Sequence, residues 1–168
     1  MYYAGTGSLI GVQQFEGVYK DLTFIFDVFK NNPKIAQNYA LIIQGKVQVN
    51  LDYLKTLSTK LMFKFFDPVP NAEMQANLKV ADIGLSVNSD EIATPYIMGG
   101  KLYDYARSEL ALLLIYPDNP YSLQEFSKRH NDKCFFANVF DPESVKEVLS
   151  KIILEKNNLD SRKFTAQE

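Results

Sequence analysis

Residues 110–116 (LALLLIY) form an uninterrupted apolar run that stops at the turn signal of residues 117–120 (PDNP). An apolar run of strand length, bounded by proline and asparagine, is typical of a strand that is buried on both faces. Such strands belong to parallel sheets that are covered by helices. The run therefore predicts a central strand of a parallel sheet.

Five further segments have the character of short strands that end at turn residues. The first stops at residues 5–8 (GTGS), which predict a glycine-rich turn closed by Gly11, and the second is cut by Gly45. The five segments are residues 2–4 (YYA), 39–43 (YALII), 61–66 (LMFKFF), 82–87 (DIGLSV) and 134–137 (CFFA).

Between the strands, apolar residues recur at spacings of three and four, which predicts helices with one buried face. Strand and helix alternate through the chain without an internal repeat, so the prediction is α/β: a Rossmann-like, doubly wound parallel sheet of about six strands with helices on both faces. The predicted helices are carried by Val18, Leu22, Ile25, Phe26 and Phe29; by Leu51, Leu54 and Leu57; by Met74 and Leu78 after an Asn71 N-cap; by Leu102, Tyr105 and Ala106; by residues 122–128; and by residues 142–156 after an Asp141 cap.

The length, net charge and cysteine and histidine counts of the chain exclude several classes of protein. A chain of 168 residues predicts one domain, and 18 basic against 20 acidic residues give a net charge of −2. A nearly neutral chain has no electrostatic footprint for nucleic acid. The lone Cys134 excludes a disulfide framework, and the lone His130, interpreted as a surface residue, excludes paired-histidine metal motifs. With no long apolar run and no signal-peptide pattern, the expected location is cytoplasmic.

Ligands of parallel α/β sheets bind outside the carboxyl ends of the strands, at the point where the strand order reverses. This rule directs attention to the predicted loops at residues 5–13, 44–46, 66–70, 88–101 and 116–120. The first loop lacks the dinucleotide fingerprint, because its third glycine, Gly11, comes one residue late and residues 44–46 (QGK) supply no acidic residue. A nicotinamide-binding domain and a P-loop are therefore not expected.

Residues 99–106 (GGKLYDYA) are more distinctive. Gly99 and Gly100 open a predicted helix, whose free backbone N–H groups and dipole suit a phosphate, and Lys101 adds a positive charge. Asp104 follows one turn later, where it can accept hydrogen bonds from a ribose diol. The alternative is a plain turn with a solvated Lys101 and an Asp104 that only stabilises the first turn of its helix.

Four segments in this order resemble the C-terminal, donor-binding domain of glycosyltransferases with the GT-B architecture, of the retaining family 4 (group 1) type. They are residues 41–45 (LIIQG), 61–70 (LMFKFFDPVP), 81–85 (ADIGL) and 101–106 (KLYDYA). The resemblance covers residues 1–156, so we expect a nucleotide-sugar-binding domain there. Residues 157–168 would be a tail toward a crossover helix, and an N-terminal acceptor domain would belong to a longer enzyme.

The resemblance implies a set of donor-binding residues. Asp104 would bind the ribose, Gly99, Gly100 and Lys101 would lie near the diphosphate and the sugar, and Gly5 with Thr6 would face the diphosphate. The backbone around Phe66, Asp67 and Val69 would meet the base. Tyr96 stands where the family places the first of two paired glutamates, and Asp104 replaces the second. The basic residues that relatives carry after the first strand are missing from residues 5–14.

The expected activity is transfer of a hexose from a UDP- or GDP-linked donor to a glycan or lipid-linked acceptor, with retention, without a metal and without activity in this chain alone. Cell-surface polysaccharide synthesis and peripheral association with the inner face of the membrane would fit the full enzyme. The alternatives are a nucleotide-sugar epimerase domain of the same architecture and a non-catalytic binding module. Strand-end tyrosines either stack on a ligand or cover the core; they are Tyr2, Tyr3, Tyr96, Tyr103 and Tyr116.

Overall fold

A computed structural model describes residues 1–9, 22–50, 52–53, 60–88, 100–108, 110–117, 121–129 and 133–165. The strands are β1 (Tyr2–Leu9), β2 (Ala40–Val49), β3 (Met62–Phe66), β4 (Ile83–Val87), β5 (Ala111–Tyr116) and β6 (Cys134–Asn138). The helices are α1 (Thr23–Asn31), α2 (Pro33–Ala36), α3 (Asn71–Leu78), α4 (Gly100–Arg107), α5 (Tyr121–Arg129) and α6 (Pro142–Thr165).

The strands form one sheet in the order β3-β2-β1-β4-β5-β6, and the paired strands run parallel. The predicted α/β class with a parallel sheet is confirmed. β1 lies in the middle, and the chain builds outward from it first toward β3 and then toward β6. The order therefore reverses between β1 and β4, which is where ligands of such sheets bind.

Two apolar clusters cover the two faces of the sheet. Along β5, the side chains of Leu113 and Ile115 belong to a first cluster with α1, α2 and α6, whereas Leu112, Leu114 and Tyr116 belong to a second cluster with α3, α4 and α5. This alternation is the period-two geometry of a strand. Both faces are apolar because both are covered by helices, as the run of residues 110–116 predicted.

The predicted turn at residues 5–8 is wrong. β1 continues to Leu9, and its register with β2 runs from Tyr2↔Ile42 to Leu9↔Val49, with Gly5 opposite Gly45. Gly45 does not cut β2 either, although its φ of 140° lies in the region that favours glycine. The backbone N–H and C=O groups of both glycines find partners across the two strands, and this tertiary pairing overrides the local turn signal.

The β1–β2 pair projects beyond its neighbours at the carboxyl edge of the sheet. The last residue of β3, Phe66, is level with Gln44, and β4 pairs with β1 through Tyr2↔Gly84 in the described residues. Residues 5–9 of β1 thus extend about 17 Å past the pairing with β3, at about 3.3 Å per residue. This ribbon borders the edge where the strand order reverses.

Two predicted helix caps have different outcomes. The carboxylate oxygen Oδ1 of Asp141 accepts hydrogen bonds from the N–H groups of Glu143 (3.0 Å) and Ser144 (3.3 Å), so this cap is confirmed. The Asn71 cap is wrong. The N–H of Met74 donates to the carbonyl of Pro70 at 3.0 Å, which closes the first helical turn one residue earlier and leaves Asn71 as the first residue of α3.

Candidate functional site

The amino end of α4 is the centre of the candidate site. α4 follows β4 in the chain and contributes Leu102 and Tyr105 to the second-face cluster, so its first turn lies toward the carboxyl edge of the sheet. Gly100 begins the helix, and a β-carbon placed on it would meet no atom within 4 Å. The first N–H groups of this helix have no acceptor within the helix itself.

The Asp104 carboxylate lies between two helices. Its Oδ1 accepts a hydrogen bond from Nε2 of Gln75 on α3 at 2.9 Å, and its Oδ2 accepts one from Nζ of Lys101 at 3.3 Å. The Asp104 side chain is 23% exposed. The structure thus brings Asp104 and Lys101 together on one helix and adds a contact to α3 that the sequence did not reveal.

Lys101 is the cation of this site. Its side chain is 41% exposed, and Nζ lies 3.1 Å from Sδ of Met74 as well as beside Asp104. An ion pair that is this exposed contributes only about 0–1 kcal/mol to stability, because water screens both charges. The ammonium can therefore turn toward an anion at the helix end with little loss of folding free energy.

Gln75 and Ser108 complete a hydrogen-bond network that sequence reasoning missed. The Ser108 hydroxyl contacts Oε1 of Gln75 at 3.3 Å and donates to the carbonyl of Asp104 at 3.0 Å. No sequence signal links these residues, because Gln75 and Asp104 are 29 positions apart and meet only where α3 packs beside α4. The helical spacing from Met74 to Leu78 predicts the helix but not its neighbour.

The segment after β3 provides the residues that the resemblance assigned to the base. The ring of Phe66 is 42% exposed, and Nζ of Lys64 lies 5.2 Å from its centroid. Asp67 is exposed and its carbonyl accepts a hydrogen bond from Nε2 of the buried Gln44 at 3.4 Å, while Val69 is half-buried against the second-face cluster. The Phe66 ring and the Asp67 side chain are therefore accessible to a ligand.

The predicted loop at residues 44–46 is wrong, because these residues lie within β2. Gln44 lies within β2 and is only 6% exposed, and its Oε1 accepts a hydrogen bond from Nδ2 of Asn77 at 3.2 Å. Because a buried amide must have partners, Gln44 ties α3 and the segment after β3 to the sheet. Its role in the described structure is to fix the elements around the site.

The structure describes only some of the other predicted donor-binding residues. Gly5 and Thr6 lie within β1, opposite Gly45 and Lys46, and not in a loop. Tyr96 and Gly99 lie outside the described residues, as does His130. The expected contact of Gly5 and Thr6 with a diphosphate would come from the projecting ribbon.

The described tyrosines divide between core and surface. Tyr3 and Tyr116 are buried, and burial raises the pKa of both phenols. The Tyr116 hydroxyl lies 2.9 Å from Oγ of Ser86, a contact that lowers its pKa and partly opposes the effect of burial. Tyr103 is 57% exposed and packs edge-to-face on Phe126 at 5.8 Å, so Tyr3 and Tyr116 cover the core and Tyr103 is open to solvent.

A cavity of about 410 Å³ lies at the opposite, amino edge of the sheet. Its lining includes Tyr39, Met62, Asp82 and Ile152, and it contains none of the predicted donor-binding residues. The Tyr39 hydroxyl is occupied, because it donates to the carbonyl of Leu149 at 2.6 Å. The carboxyl edge carries the amino end of α4 and the Lys101–Asp104 pair, and we place the candidate site there.

Catalysis by a thiol nucleophile and binding of a metal ion have little support among the described residues. Cys134 is half-buried, and burial raises the pKa of its thiol although a hydrogen bond with Ser127 opposes that shift. A protonated thiol is a poor nucleophile. Within the described ranges, no three acidic, histidine or cysteine side chains form a group that could hold a metal ion. No helix in the part of the chain described here is long and apolar enough to cross a membrane.

Comparison of the chain with protein-family models gives no match, and comparison with curated proteins gives none either.

Proposed function

We propose that this chain is the donor-binding domain of a GT-B glycosyltransferase that takes a sugar from a UDP- or GDP-linked donor. The observation that carries the proposal is the juxtaposition of Gly100, Lys101 and Asp104 in the first two turns of α4, at the carboxyl edge of a parallel sheet. The strand order and the helices on both faces support a Rossmann-like, doubly wound domain.

The proposed chemistry follows from the groups at α4. The Asp104 carboxylate accepts hydrogen bonds from the ribose diol, and the open N–H groups of the helix end with Lys101 hold the diphosphate. The same groups stabilise the charge that develops on the leaving diphosphate, so transfer with retention proceeds without a divalent ion. The acceptor, a glycan or a lipid-linked glycan, is held by another domain of a longer enzyme, and this chain alone binds the donor without transferring it.

A thermal-shift screen with UDP, GDP, ADP and CMP tests the proposal. A ligand at 100 times its dissociation constant stabilises the fold by about 2.7 kcal/mol, which raises Tm by roughly 5–10 °C for a domain of this size. We expect UDP or GDP to raise Tm and Asp104→Ala to remove most of that rise. The matched control is Glu125→Ala, which removes another helical carboxylate from an i,i+3 pair with a lysine and should leave the rise intact. Flat curves with all four nucleotides up to millimolar concentration would refute the proposal.

A second candidate function is a binding module that does not take nucleotides. It is favoured by one observation: both carboxylate oxygens of Asp104 already have partners within the domain, Gln75 and Lys101. In that case the network serves only to join α3 to α4. The parent would then show no rise in Tm with any nucleotide, and Asp104→Ala would only lower Tm; this result would select the second candidate.

A further inference from the structure

We propose that Gln75 is a positioning residue that determines the preference of the site for ribonucleotides over 2′-deoxyribonucleotides, by holding the Asp104 carboxylate in the orientation that receives a diol. This inference rests on the proposed function. Gln75 lies on α3, and its Nε2 donates to Oδ1 of Asp104 at 2.9 Å. It would not touch the sugar or the phosphates and would act only through Asp104.

The orientation of the Gln75 amide is set by Asp104 and supported by a third residue. The Ser108 hydroxyl lies 3.3 Å from Oε1 of Gln75. Because an ionised carboxylate can only accept hydrogen bonds, the NH₂ end of the amide faces Asp104 and the carbonyl end faces Ser108. The same hydroxyl lies 3.0 Å from the carbonyl of Asp104, and its single proton is shared between these two acceptors.

The network leaves acceptor capacity on Asp104. An ionised carboxylate has about four lone-pair positions. Gln75 occupies one on Oδ1 and Lys101 occupies one on Oδ2, so about one position on each oxygen remains for a ligand. Two acceptors on two oxygens match the two hydroxyls of a ribose, and the 23% exposure of the Asp104 side chain gives them access to solvent.

Removal of the Gln75 donor would free the Asp104 carboxylate to rotate. The cation nearest to it is Lys101, and a rotated carboxylate can place both oxygens toward that ammonium. The pair would then bind a diphosphate less well through Lys101 and a diol less well through Asp104. The loss should be larger for the diol, because two hydrogen bonds to one carboxylate demand a fixed plane.

The experiment measures dissociation constants for UDP, GDP and their 2′-deoxy counterparts by titration calorimetry on the 168-residue chain. A hydrogen bond to a charged group changes affinity by about tenfold or more, so we expect the parent to prefer ribonucleotides by about tenfold. Gln75→Met keeps the length and apolar volume of the side chain without the amide and should reduce the preference to about twofold. Gln75→Glu keeps the Ser108 acceptor but places a second carboxylate beside Asp104, and it should also lose the preference.

Controls separate positioning from folding. Gln124→Met changes an exposed glutamine on another helix and should retain the tenfold preference. If Gln75→Met does not fold, Ser108→Ala provides a second test. It removes the hydroxyl that contacts Oε1 of Gln75 and should reduce the preference to an intermediate value. An unchanged preference in folded Gln75 and Ser108 variants overturns this inference while the proposed function stands. Absence of UDP and GDP binding in the parent overturns both.

Discussion

A β-carbon placed on Gly84 would lie 2.7 Å from Cδ2 and 2.8 Å from Cγ of the Tyr105 ring. The ring is 1% exposed and packs directly on the backbone of β4, so Gly84 sets how closely α4 approaches the sheet. α4 also carries Lys101 and Asp104. The packing of Tyr105 on Gly84 therefore fixes the distance between the candidate site and β4.

Gly84→Ala should lower the free energy of unfolding by about 1–3 kcal/mol, because the added methyl overlaps a buried ring that has little room to move. At this chain length the loss corresponds to a fall in Tm of roughly 2–12 °C. The matched control is Gly100→Ala, whose β-carbon meets nothing within 4 Å. It should leave Tm unchanged or slightly higher in thermal melts followed by circular dichroism. Equal Tm values for the two variants would contradict the conclusion that Gly84 is required for the packing of Tyr105 on β4.

Lys101→Gln should weaken UDP or GDP binding by about fivefold, as expected for loss of one partly exposed charge contact of about 1 kcal/mol. The loss should be smaller for UMP or GMP, which carry less phosphate charge. Lys146→Gln is a close control, because Lys146 also belongs to an i,i+3 pair and its side chain is 39% exposed against 41% for Lys101. Calorimetric titrations that show equal losses for diphosphate and monophosphate would place Lys101 away from the second phosphate.

Alkaline pH should destabilise the fold through its buried tyrosines. Burial raises the pKa of Tyr3, Tyr39 and Tyr116 above the usual value of 10.0. Below pH 10.0 these phenols are protonated in both the folded and the unfolded chain, so their contribution is constant. Above it the unfolded chain loses protons that the folded chain keeps, and the free energy of unfolding falls by up to about 1.4 kcal/mol per pH unit for each tyrosine.

Tyr39→Phe isolates one of these contributions. The variant should be less stable at pH 8, since the carbonyl of Leu149 loses its 2.6 Å hydrogen bond. Between pH 10 and 11.5, however, its free energy of unfolding should fall less steeply than that of the parent by up to about 1.4 kcal/mol per pH unit. Urea titrations at several pH values measure both effects. Parallel pH profiles above pH 10 would exclude Tyr39 as a source of alkaline instability.

Local patterns predicted much of the fold because they report burial directly. The apolar runs that end at prolines or polar turns predicted β3 to β6 within a residue or two at each end, and the three-and-four spacing predicted α4 with Leu102 and Tyr105 inside. The Asp141 cap was visible for the same reason, since a cap contacts only the next turn. Burial and capping are local properties of the chain, and a sequence displays them.

The wrong glycine turns and the missed Gln75 have a common physical origin in long-range contacts. Gly5 and Gly45 carry local turn signals, but each lies opposite the other in a parallel ladder whose strands are 40 positions apart in the chain. Gln75 carries no signal at all, and its meeting with Asp104 depends on how α3 packs beside α4. Sequence spacing brought Lys101 to Asp104 because both lie on one helix, whereas the third member of the network comes from another.

The most direct test of the nucleotide-binding site is a titration of the chain with UDP and GDP, followed by nitrogen–proton correlation NMR. The account predicts that amide resonances of Gly100, Lys101 and Asp104 shift in a saturable manner, with those of Phe66 and Asp67 following. Resonances of Asn38, Asp82 and Ile152, which line the cavity at the amino edge, should stay in place. Shifts confined to the amino edge, or no shift at any residue up to millimolar nucleotide, would contradict the account.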